Sequence, residues 1–431
     1  ESPAISGDGR YIVFWSAATN LVADNPNSSG IFVYDQFTGQ TKRASASQNG
    51  QQSFIESVYP GISGDGRSVA FWSNGSLLPE DTNGKLDIYV YDQQTEELLY
   101  LPIGEAGDAS SLAWYDRPAL SWDGQLITFA SNVATLVSDD TNNTTDIFVY
   151  NRQTAAMTRV SVNSSGVEGN DISRYPSLSA DGRLVAFMSS AENFTTDTNG
   201  DDNGIFVYDR VTGKISCVSV NATGIQANNS SFYPHISSDG RYVAFSSYAS
   251  NLVPGDTNVC GDGDSAHPCS DIFVYDRQTR QLTRTSVAAD GTQTDGDAGA
   301  PSISGSGNYV TFSGRFVTSL TANANGGVDV FLGPVFPLGT QLSSVPQRNC
   351  TSGSITLTWG AISWATGYRI QVDTDKVFDN PFVNQTVTAE VLEWTLTGLE
   401  PQTYYWRVQA IGENNRSGGW STPESFTVNW Q

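Results

Sequence analysis

The sequence predicts an all-β chain: a six-bladed β-propeller of four-stranded antiparallel blades, followed by a smaller β-sandwich domain. Three observations carry that prediction. A phrase that begins Pro-x-Ile/Leu-Ser-x-Asp-Gly-Arg and ends Asp-Ile-Phe-Val-Tyr-Asp-Arg recurs six times, with steps of 57, 58, 58, 58 and 67 residues between Pro3, Pro60, Pro118, Pro176, Pro234 and Pro301. A fixed period of this kind marks one supersecondary unit copied and packed side by side. Each copy holds four short strand patterns without intervening helical periodicity, and after about residue 345 the phrase gives way to different strand patterns.

The fifth copy shows the unit. Tyr233-Pro-His-Ile-Ser237 is a short first strand, where a proline at the start is tolerated. Asp239-Gly240 makes a tight hairpin, since glycine accepts positive φ without steric cost. Arg241–Ser247 is nearly all apolar, as expected of a strand buried on both faces. A polar loop leads to Asp271-Ile-Phe-Val-Tyr-Asp276, rich in β-branched and aromatic residues. After a turn, Leu282–Val287 alternates as an outer fourth strand. Repeated six times, this is a propeller signature; a solenoid is the rival, with shorter repeats and distinct end caps.

The Ser-x-Asp-Gly-Arg turns at Asp8, Asp65, Asp181 and Asp239, each followed by Val-Ala-Phe or a near variant, resemble the TolB-type, WD-like propellers of exported bacterial proteins. The resemblance covers about residues 1–340 of a propeller domain expected over 1–345, implies six blades and says little about activity. The third copy departs (Trp122-Asp-Gly-Gln125), and the sixth departs further (Gly305-Ser-Gly-Asn308). The sixth also needs an outer strand, from Gly339–Ser344, from sequence upstream of Glu1, or from a neighbouring molecule.

Residues 346–431 read as a separate domain. Ser354–Trp359 and Gly367–Val372 alternate as strands, and Tyr404, Trp406, Val408 and Ala410 share one face of a third. The pattern resembles an immunoglobulin-like fibronectin type III domain with Tyr404 as its corner tyrosine, which implies a spacer or adhesive module.

Bulk composition narrows the partners. Lysines and arginines number 22 against 45 acidic residues, a formal charge of −23. Such a surface repels a phosphate backbone, so nucleic acid is excluded as a partner, while metal cations are suited. No apolar run reaches the ~18 residues of a membrane span. Cys260 and Cys269 bracket the one large insertion in the repeats; a disulfide closing that loop fits better than zinc, for which only His267 is near, and indicates an oxidising compartment. Cys217 and Cys350 pair with each other or stay free. A dozen Asn-x-Ser/Thr sequons, among them Asn27, Asn74, Asn163, Asn193, Asn221 and Asn384, add weak support for export and glycosylation. The chain opens inside a repeat, so upstream sequence is expected to have been cleaved or omitted.

The loop before each third strand carries the candidate metal ligands. The second copy offers Asp81, Asn83, Lys85 and Asp87; the third Asp140, Asn142, Thr144 and Asp146; the fourth Asp197, Asn199, Asp201 and Asn203; the fifth Asp256, Asn258 and, after the insertion, Asp271. Ligands at alternate positions of a loop can wrap oxygens around Ca²⁺, position five using a side chain or a carbonyl. No bidentate Glu stands at position twelve. The competing reading is turn chemistry, since Asp and Asn also close loops through Asx hydrogen bonds. Asp373, Asp375 and Asp379 repeat the spacing in the second domain, where a solvated loop is expected.

Catalysis finds little support. There are two histidines, His235 and His267, and His235 stands on a first-strand position that suits a packed or channel-facing role. No Gly-x-Ser-x-Gly elbow or P-loop is present. Pectin-degrading lyases with TolB-type propellers depend on a His-rich metal site, which this chain lacks. The expectation is an exported, non-enzymatic surface protein of structural or adhesive type, its loops stabilised by structural Ca²⁺. Its partners would be protein or surface glycan, or further copies in an assembly or filament. Alternatives are a carbohydrate-binding or carbohydrate-active propeller, and a TolB-like periplasmic interaction module.

Overall fold

The computed structural model describes residues 2–23, 29–46, 57–101, 103, 116–195, 203–260, 266–287, 293–314, 328–334, 354–360, 365–412, 417–421 and 423–428. All regular structure among them is β, and no helix is long and apolar enough to cross a membrane. The chain divides into two compact units, Glu1–Leu332 and Gly333–Gln431. The boundary expected near residue 345 lies outside the described residues.

The first unit is a series of antiparallel sheets, one per repeat. Sheet one holds β1 (Ala4–Ile5), β2 (Tyr11–Ser16), β3 (Gly30–Asp35) and β4 (Gln40–Arg43) in that order. Sheet two holds β5 (Ser57–Ile62), β6 (Ser68–Ser73), β7 (Asp87–Asp92) and β8 (Leu98–Leu101). Sheet three holds β9 (Ala119–Leu120), β10 (Leu126–Ser131), β11 (Asp146–Asn151) and β12 (Ala156–Arg159). Sheet four holds β13 (Ser173–Leu178), β14 (Leu184–Ser189), β15 (Gly204–Asp209) and β16 (Lys214–Cys217). Sheet five runs β17 (Ser231–Ile236), β18 (Tyr242–Ser247), β21 (Asp271–Asp276) and β22 (Gln281–Arg284), with the short hairpin β19 (Val259–Cys260) and β20 (His267–Pro268) inserted. Sheet six has β23 (Ala298–Ile303), β24 (Tyr309–Gly314) and β25 (Asp329–Pro334). First strands of successive sheets touch in order: β1 on β5, β5 on β9, β9 on β13, β13 on β17, β17 on β23. This is a propeller-like all-β architecture. The outer strand expected at Gly339–Ser344 lies outside the described residues; among these, β25 is the edge of its sheet and exposes Val330 and Leu332.

The repeated phrase explains how each sheet is locked. The turn serine donates to the turn aspartate in five copies, as in Ser6 Oγ to Asp8 Oδ1 and Ser179 Oγ to Asp181 Oδ1, both 2.6 Å. The same serine oxygen accepts the N–H five residues on, at 3.0 Å from both Tyr11 and Leu184. The turn glycine sits at φ of 68° in Gly182 and 71° in Gly240. It also packs on the preceding sheet: a Cβ at Gly182 would come within 2.2 Å of Leu126, and one at Gly240 within 2.4 Å of Leu184. The arginine then clamps the end of the third strand, Arg10 to Asp35 and Arg67 to Asp92 at 2.8 Å, Arg183 to Asp209 and Arg241 to Asp276 at 2.7 Å. Gln125 and Asn151 occupy the corresponding places in the third copy and cannot form this charge pair.

Two further contacts are repeated. Successive turns are joined by backbone hydrogen bonds: Gly7 N–H to Gly64 O (2.8 Å), Asp65 N–H to Trp122 O (2.9 Å), Trp122 N–H to Ala180 O (2.8 Å), Ala180 N–H to Ser238 O (3.0 Å) and Ser238 N–H to Gly305 O (3.2 Å). Within each sheet one aromatic pair spans the second and third strands. These are Phe14–Phe32, Phe71–Tyr89, Phe129–Phe148, Phe187–Phe206, Phe245–Phe273 and Phe312–Phe331, with ring centroids 5.7–6.3 Å apart.

In the second unit β26 (Ile355–Thr358) pairs β29 (Glu393–Leu396), while β28 (Val383–Thr388), β27 (Gly367–Asp373), β30 (Thr403–Ile411) and β31 (Ser417–Trp420) form a sheet in which β32 (Glu424–Thr427) also pairs β30. Leu357, Trp359, Tyr368, Ile370, Trp406, Val408 and Ala410 form its core. The Tyr404 hydroxyl donates to the Glu400 carbonyl at 3.2 Å and accepts the Glu400 N–H at 3.0 Å, tying the start of β30 to the segment before it. Asp375 caps its own loop, accepting from Val377 N–H at 2.8 Å and Phe378 N–H at 3.1 Å.

Phe187 is fully buried, so Phe187→Ala should cost about 3–5 kcal/mol through lost contacts and the cavity left behind. Ser179→Ala removes a buried hydroxyl and leaves the Leu184 N–H without its acceptor, a cost of about 1–3 kcal/mol. Urea unfolding should rank them in that order; a silent Ser179→Ala would contradict the role given to the turn.

Candidate functional site

The acidic loops are closed by the protein's own hydrogen bonds. In the third copy Asn142 Oδ1 accepts the Thr144 N–H at 2.8 Å, an Asx turn. Its Nδ2 donates to Asp146 Oδ2 at 3.1 Å and to the Gly169 carbonyl at 2.8 Å. Ser161 donates to the other oxygen of Asp146, and Ser161 itself accepts the Ile147 N–H at 3.0 Å. The fifth copy repeats this: Asn258 Nδ2 reaches Asp271 Oδ2 at 3.3 Å and the Thr294 carbonyl at 3.0 Å, and Ser286 donates to Asp271 Oδ1 at 2.5 Å. In the second copy Asn83 Nδ2 donates to Asp87 at 2.8 Å and to the Tyr100 hydroxyl at 3.0 Å, and Asn83 Oδ1 accepts the Lys85 N–H at 2.8 Å. Asp87 accepts the Ile103 N–H at 2.6 Å, and Asp81 accepts from the Tyr89 hydroxyl. The Lys85 side chain is exposed.

An arginine from the fourth strand enters two of these clusters. Arg159 lies 2.7 Å from Glu168, 3.7 Å from Asp140 and 3.8 Å from Asp146. Arg284 lies 3.0 Å from Asp256 and 3.5 Å from Asp271. Burial pushes Asp146 and Asp256 up to about 6, partly offset by these guanidiniums. In the first copy the same register position is Arg43, which donates to the Ser29 carbonyl at 2.9 Å. The second copy has Tyr100 there and the fourth Cys217. Of the fourth loop, Asp197, Asn199 and Asp201 lie outside the described residues; Asn203 accepts from Ser190 Oγ at 2.5 Å.

These clusters can be tested for Ca²⁺. Asp140, Asp146 and Glu168 bring one carboxylate oxygen each within 4.8 Å of one another, a hard-oxygen donor set. Neither Asp140 oxygen meets a donor in good hydrogen-bond geometry, and Asp81 Oδ1 is also buried without one. The third and fifth clusters already hold a guanidinium, however, and a second cation there meets like charge. The second loop has donors without an arginine. Glu168 and the two arginines escaped the sequence reading, although the copies align them: Val162–Glu168, Val220–Gln226 and Val287–Gln293 are equivalent bridges, and Arg43, Arg159 and Arg284 share one register.

The disulfide Cys260–Cys269 forms, with a Cα separation of 5.0 Å, and ties β19 to β20. Cys217 is a free thiol that burial pushes up to about 11; Cys350 lies outside the described residues. Asn163, Asn193 and Asn221 commit Nδ2 to the carbonyls of Asn193 (3.3 Å), Glu168 (2.7 Å) and Asn251 (3.3 Å), so these sequons serve turns.

The first strands present a second arrangement. Each X-Pro step in β5, β13, β17 and β23 is a bulge in the pairing with the next strand. The residue before the proline has positive φ: 51° at Tyr59, 56° at Tyr175, 52° at Tyr233 and 48° at Ala300. Such a conformation is costly for a bulky side chain, on the order of 1–3 kcal/mol. Tyr175 and Tyr233 have centroids 4.6 Å apart. In the third copy the position is Arg117. His235 Nδ1 accepts the Ile303 N–H at 3.3 Å, which leaves the neutral ring's proton on Nε2. Burial, then the charge of Arg117, holds His235 down at about 4 from an ordinary 6.5.

No family model matches the chain, and no curated protein matches it in sequence. Among solved structures it is similar to one from a study of two prolyl endopeptidases, at 11% identity and a TM-score of 0.45 over 96% of this chain and 54% of that one. It is similar to Pyrococcus horikoshii acylaminoacyl peptidase at 12% identity and 0.44, over 85% and 51%. A third is the periplasmic gluconolactonase PpgL of Pseudomonas aeruginosa, at 14% and 0.34, over 97% and 96%. The chain spans about half the length of the two peptidase structures. These neighbours are enzymes, and likeness at this level carries no argument about activity.

His235 gives a pH prediction. Its folded value is below its unfolded value, so the stability held with a neutral ring is present above pH 6.5 and is lost as pH falls toward about 4. The loss should approach about 3 kcal/mol. His235→Gln should flatten urea-measured stability across that window; an unchanged slope would refute the assignment.

Proposed function

We propose that the chain is an exported, non-enzymatic surface protein: a six-bladed TolB-type propeller joined to a fibronectin type III-like module, working in a structural or adhesive role. One observation carries this reading. The residues the repeats preserve across copies are committed to holding neighbouring strands together, as Asp146 is to Ser161, Asn142 and Arg159, and Asp271 to Ser286, Asn258 and Arg284. A disulfide between Cys260 and Cys269 suits an oxidising exterior. The Tyr404 corner and the Trp359–Trp406 core support the fibronectin-like reading of the second unit.

Calcium belongs to this proposal in a narrower form than spacing alone suggests. Where the fourth strand supplies Arg159 or Arg284, the guanidinium is the counter-charge. Where it supplies Tyr100 or Cys217, Ca²⁺ takes that part, bound by Asp81, Asn83 and Asp87 in the second loop and by Asp197, Asn199 and Asp201 in the fourth. A ligand that binds only the native state stabilises it by mass action, by roughly 2.7 kcal/mol at a hundred times its Kd. Thermal melts in Ca²⁺ and in excess EGTA should therefore differ, and the difference should shrink in Asp81→Asn and Asp201→Asn but persist in Asp256→Asn. Superimposable wild-type melts would reduce the loops to turn chemistry.

A further inference from the structure

Sheet six departs from the other repeats just before the proline of its first strand. Two residues before that proline stand Val58, Asp116, Arg174 and Phe232 in the second to fifth copies, and Gly299 in the sixth. One residue before it stand Tyr59, Arg117, Tyr175 and Tyr233, and Ala300 in the sixth. A Cβ built on Gly299 would meet no atom within 4 Å. The fifth copy adds a wall nearby, since its insertion forms the hairpin β19–β20, tied by the Cys260–Cys269 disulfide. Lost bulk and added chain leave a cleft of about 630 Å³, whose lining includes Phe232, Tyr233, Tyr248, Asp295, Asp297 and Gly299. A smaller hollow of about 250 Å³ shares Tyr248 and Val259 with it and reaches Asp256, Asn258 and His267.

The walls combine aromatic rings with carboxylates. Phe232 meets Tyr248 edge-on, with ring centroids 6.3 Å apart, and Tyr233 at 6.1 Å; Tyr248 in turn meets His267 at 5.9 Å. Asp297 Oδ1 accepts the Ser270 N–H at 2.8 Å, and its other oxygen lies 3.9 Å from His267 Nε2. The two carboxylates belong to this copy: at the places of Asp295 and Asp297 the fourth copy has Asn170 and Ile172, and the fifth Asn228 and Ser230. Among the described residues no lysine or arginine lines either hollow. Two serine hydroxyls of the wall are already committed as donors, Ser246 to the Phe232 carbonyl at 3.3 Å and Ser313 to the Gly299 carbonyl at 3.1 Å. Carboxylate acceptors and π faces attract a cation and repel an anion. A neutral sugar, whose hydroxyls call for donors as well as acceptors, fits less well. We propose that this cleft binds an organic ammonium ion, its charge set against Asp297 and Asp295 and its apolar body against Phe232, Tyr233 and Tyr248. The proposal rests on the packing of β17 and β18 against β23 and is independent of calcium in the second and fourth loops.

Calorimetric titration of the full chain in EGTA tests it, with 2-phenylethylammonium, 2-phenylethanol, phenylacetate and methyl glucoside as probes. The ammonium should bind about tenfold or more tightly than any of the others. Asp297→Asn keeps an acceptor for the Ser270 N–H but removes the charge. It should weaken the ammonium by about tenfold and leave 2-phenylethanol unchanged. Gly299→Phe puts into the sixth copy the residue that the fifth has at that place, and should abolish binding while keeping the wild-type melting temperature. Equal binding of ammonium and alcohol, a preference for phenylacetate or the glucoside, no binding by the ammonium, or unchanged binding in either variant would overturn the proposal. A marked fall in the melting temperature of Gly299→Phe would mean that the cleft is already filled, and would overturn it as well. Since EGTA is present throughout, failure here and failure of the calcium proposal are separately readable.

Discussion

The interaction on which the first unit depends is the hydrogen bond from the turn of one repeat to the turn of the next. The residue between Ser and Asp of each Ser-x-Asp-Gly turn, or the Asp beside it, donates to the matching carbonyl of the following copy, five times in succession from Gly7 to Gly305. That contact fixes the spacing of neighbouring sheets. It works only if the turn is held, hence the serine–aspartate clamp, and only if the turn can approach closely, hence glycine against Leu126 or Leu184. A sheet placed this way buries its aromatic pair against its neighbours, and non-directional apolar burial then supplies most of the stability. The directional bonds decide where the sheets go; burial decides that they stay.

Much of this was legible in the residues because it is periodic. Strand order, the Asp-Gly hairpins and the Cys260–Cys269 bridge follow from spacing and turn chemistry. What spacing could not show is which atoms would answer the loop carboxylates. Asn142 and Asn258 both satisfy the ligand pattern and close their loops without metal, because an amide can donate to the carboxylate that a metal would otherwise bridge. Arg159 and Arg284 sit on the fourth strand, across the third strand and its turn from Asp146 and Asp271, and their part depends on register rather than local pattern. Nor does any local signal mark the tyrosines of the X-Pro steps as left-handed, since a residue before proline is ordinarily extended.

The two charged regions contrast physically. In the third and fifth loops each guanidinium meets carboxylates at close range, so charge is balanced within the protein. Before the first strand of the third copy, Asp116 pairs with Arg174 through Oδ2, while its Oδ1 is buried without a hydrogen bond. The first arrangement is a structural staple. Positive φ at bulky tyrosines is a feature of the first strands, at Tyr59, Tyr175 and Tyr233. Strain persists where surrounding packing imposes it, here the bulges that β5, β13 and β17 make against their partners.

The central claim is that the turn-to-turn bonds carry the sheets round into a closed ring of six. Spin labels at Asp8 and Ser306, on the turns of the first and sixth copies, report on it by double electron–electron resonance. Closure predicts a separation matching that between labels on adjacent turns, such as Asp65 and Asp123. A separation several times larger would mean an open array and would contradict the account.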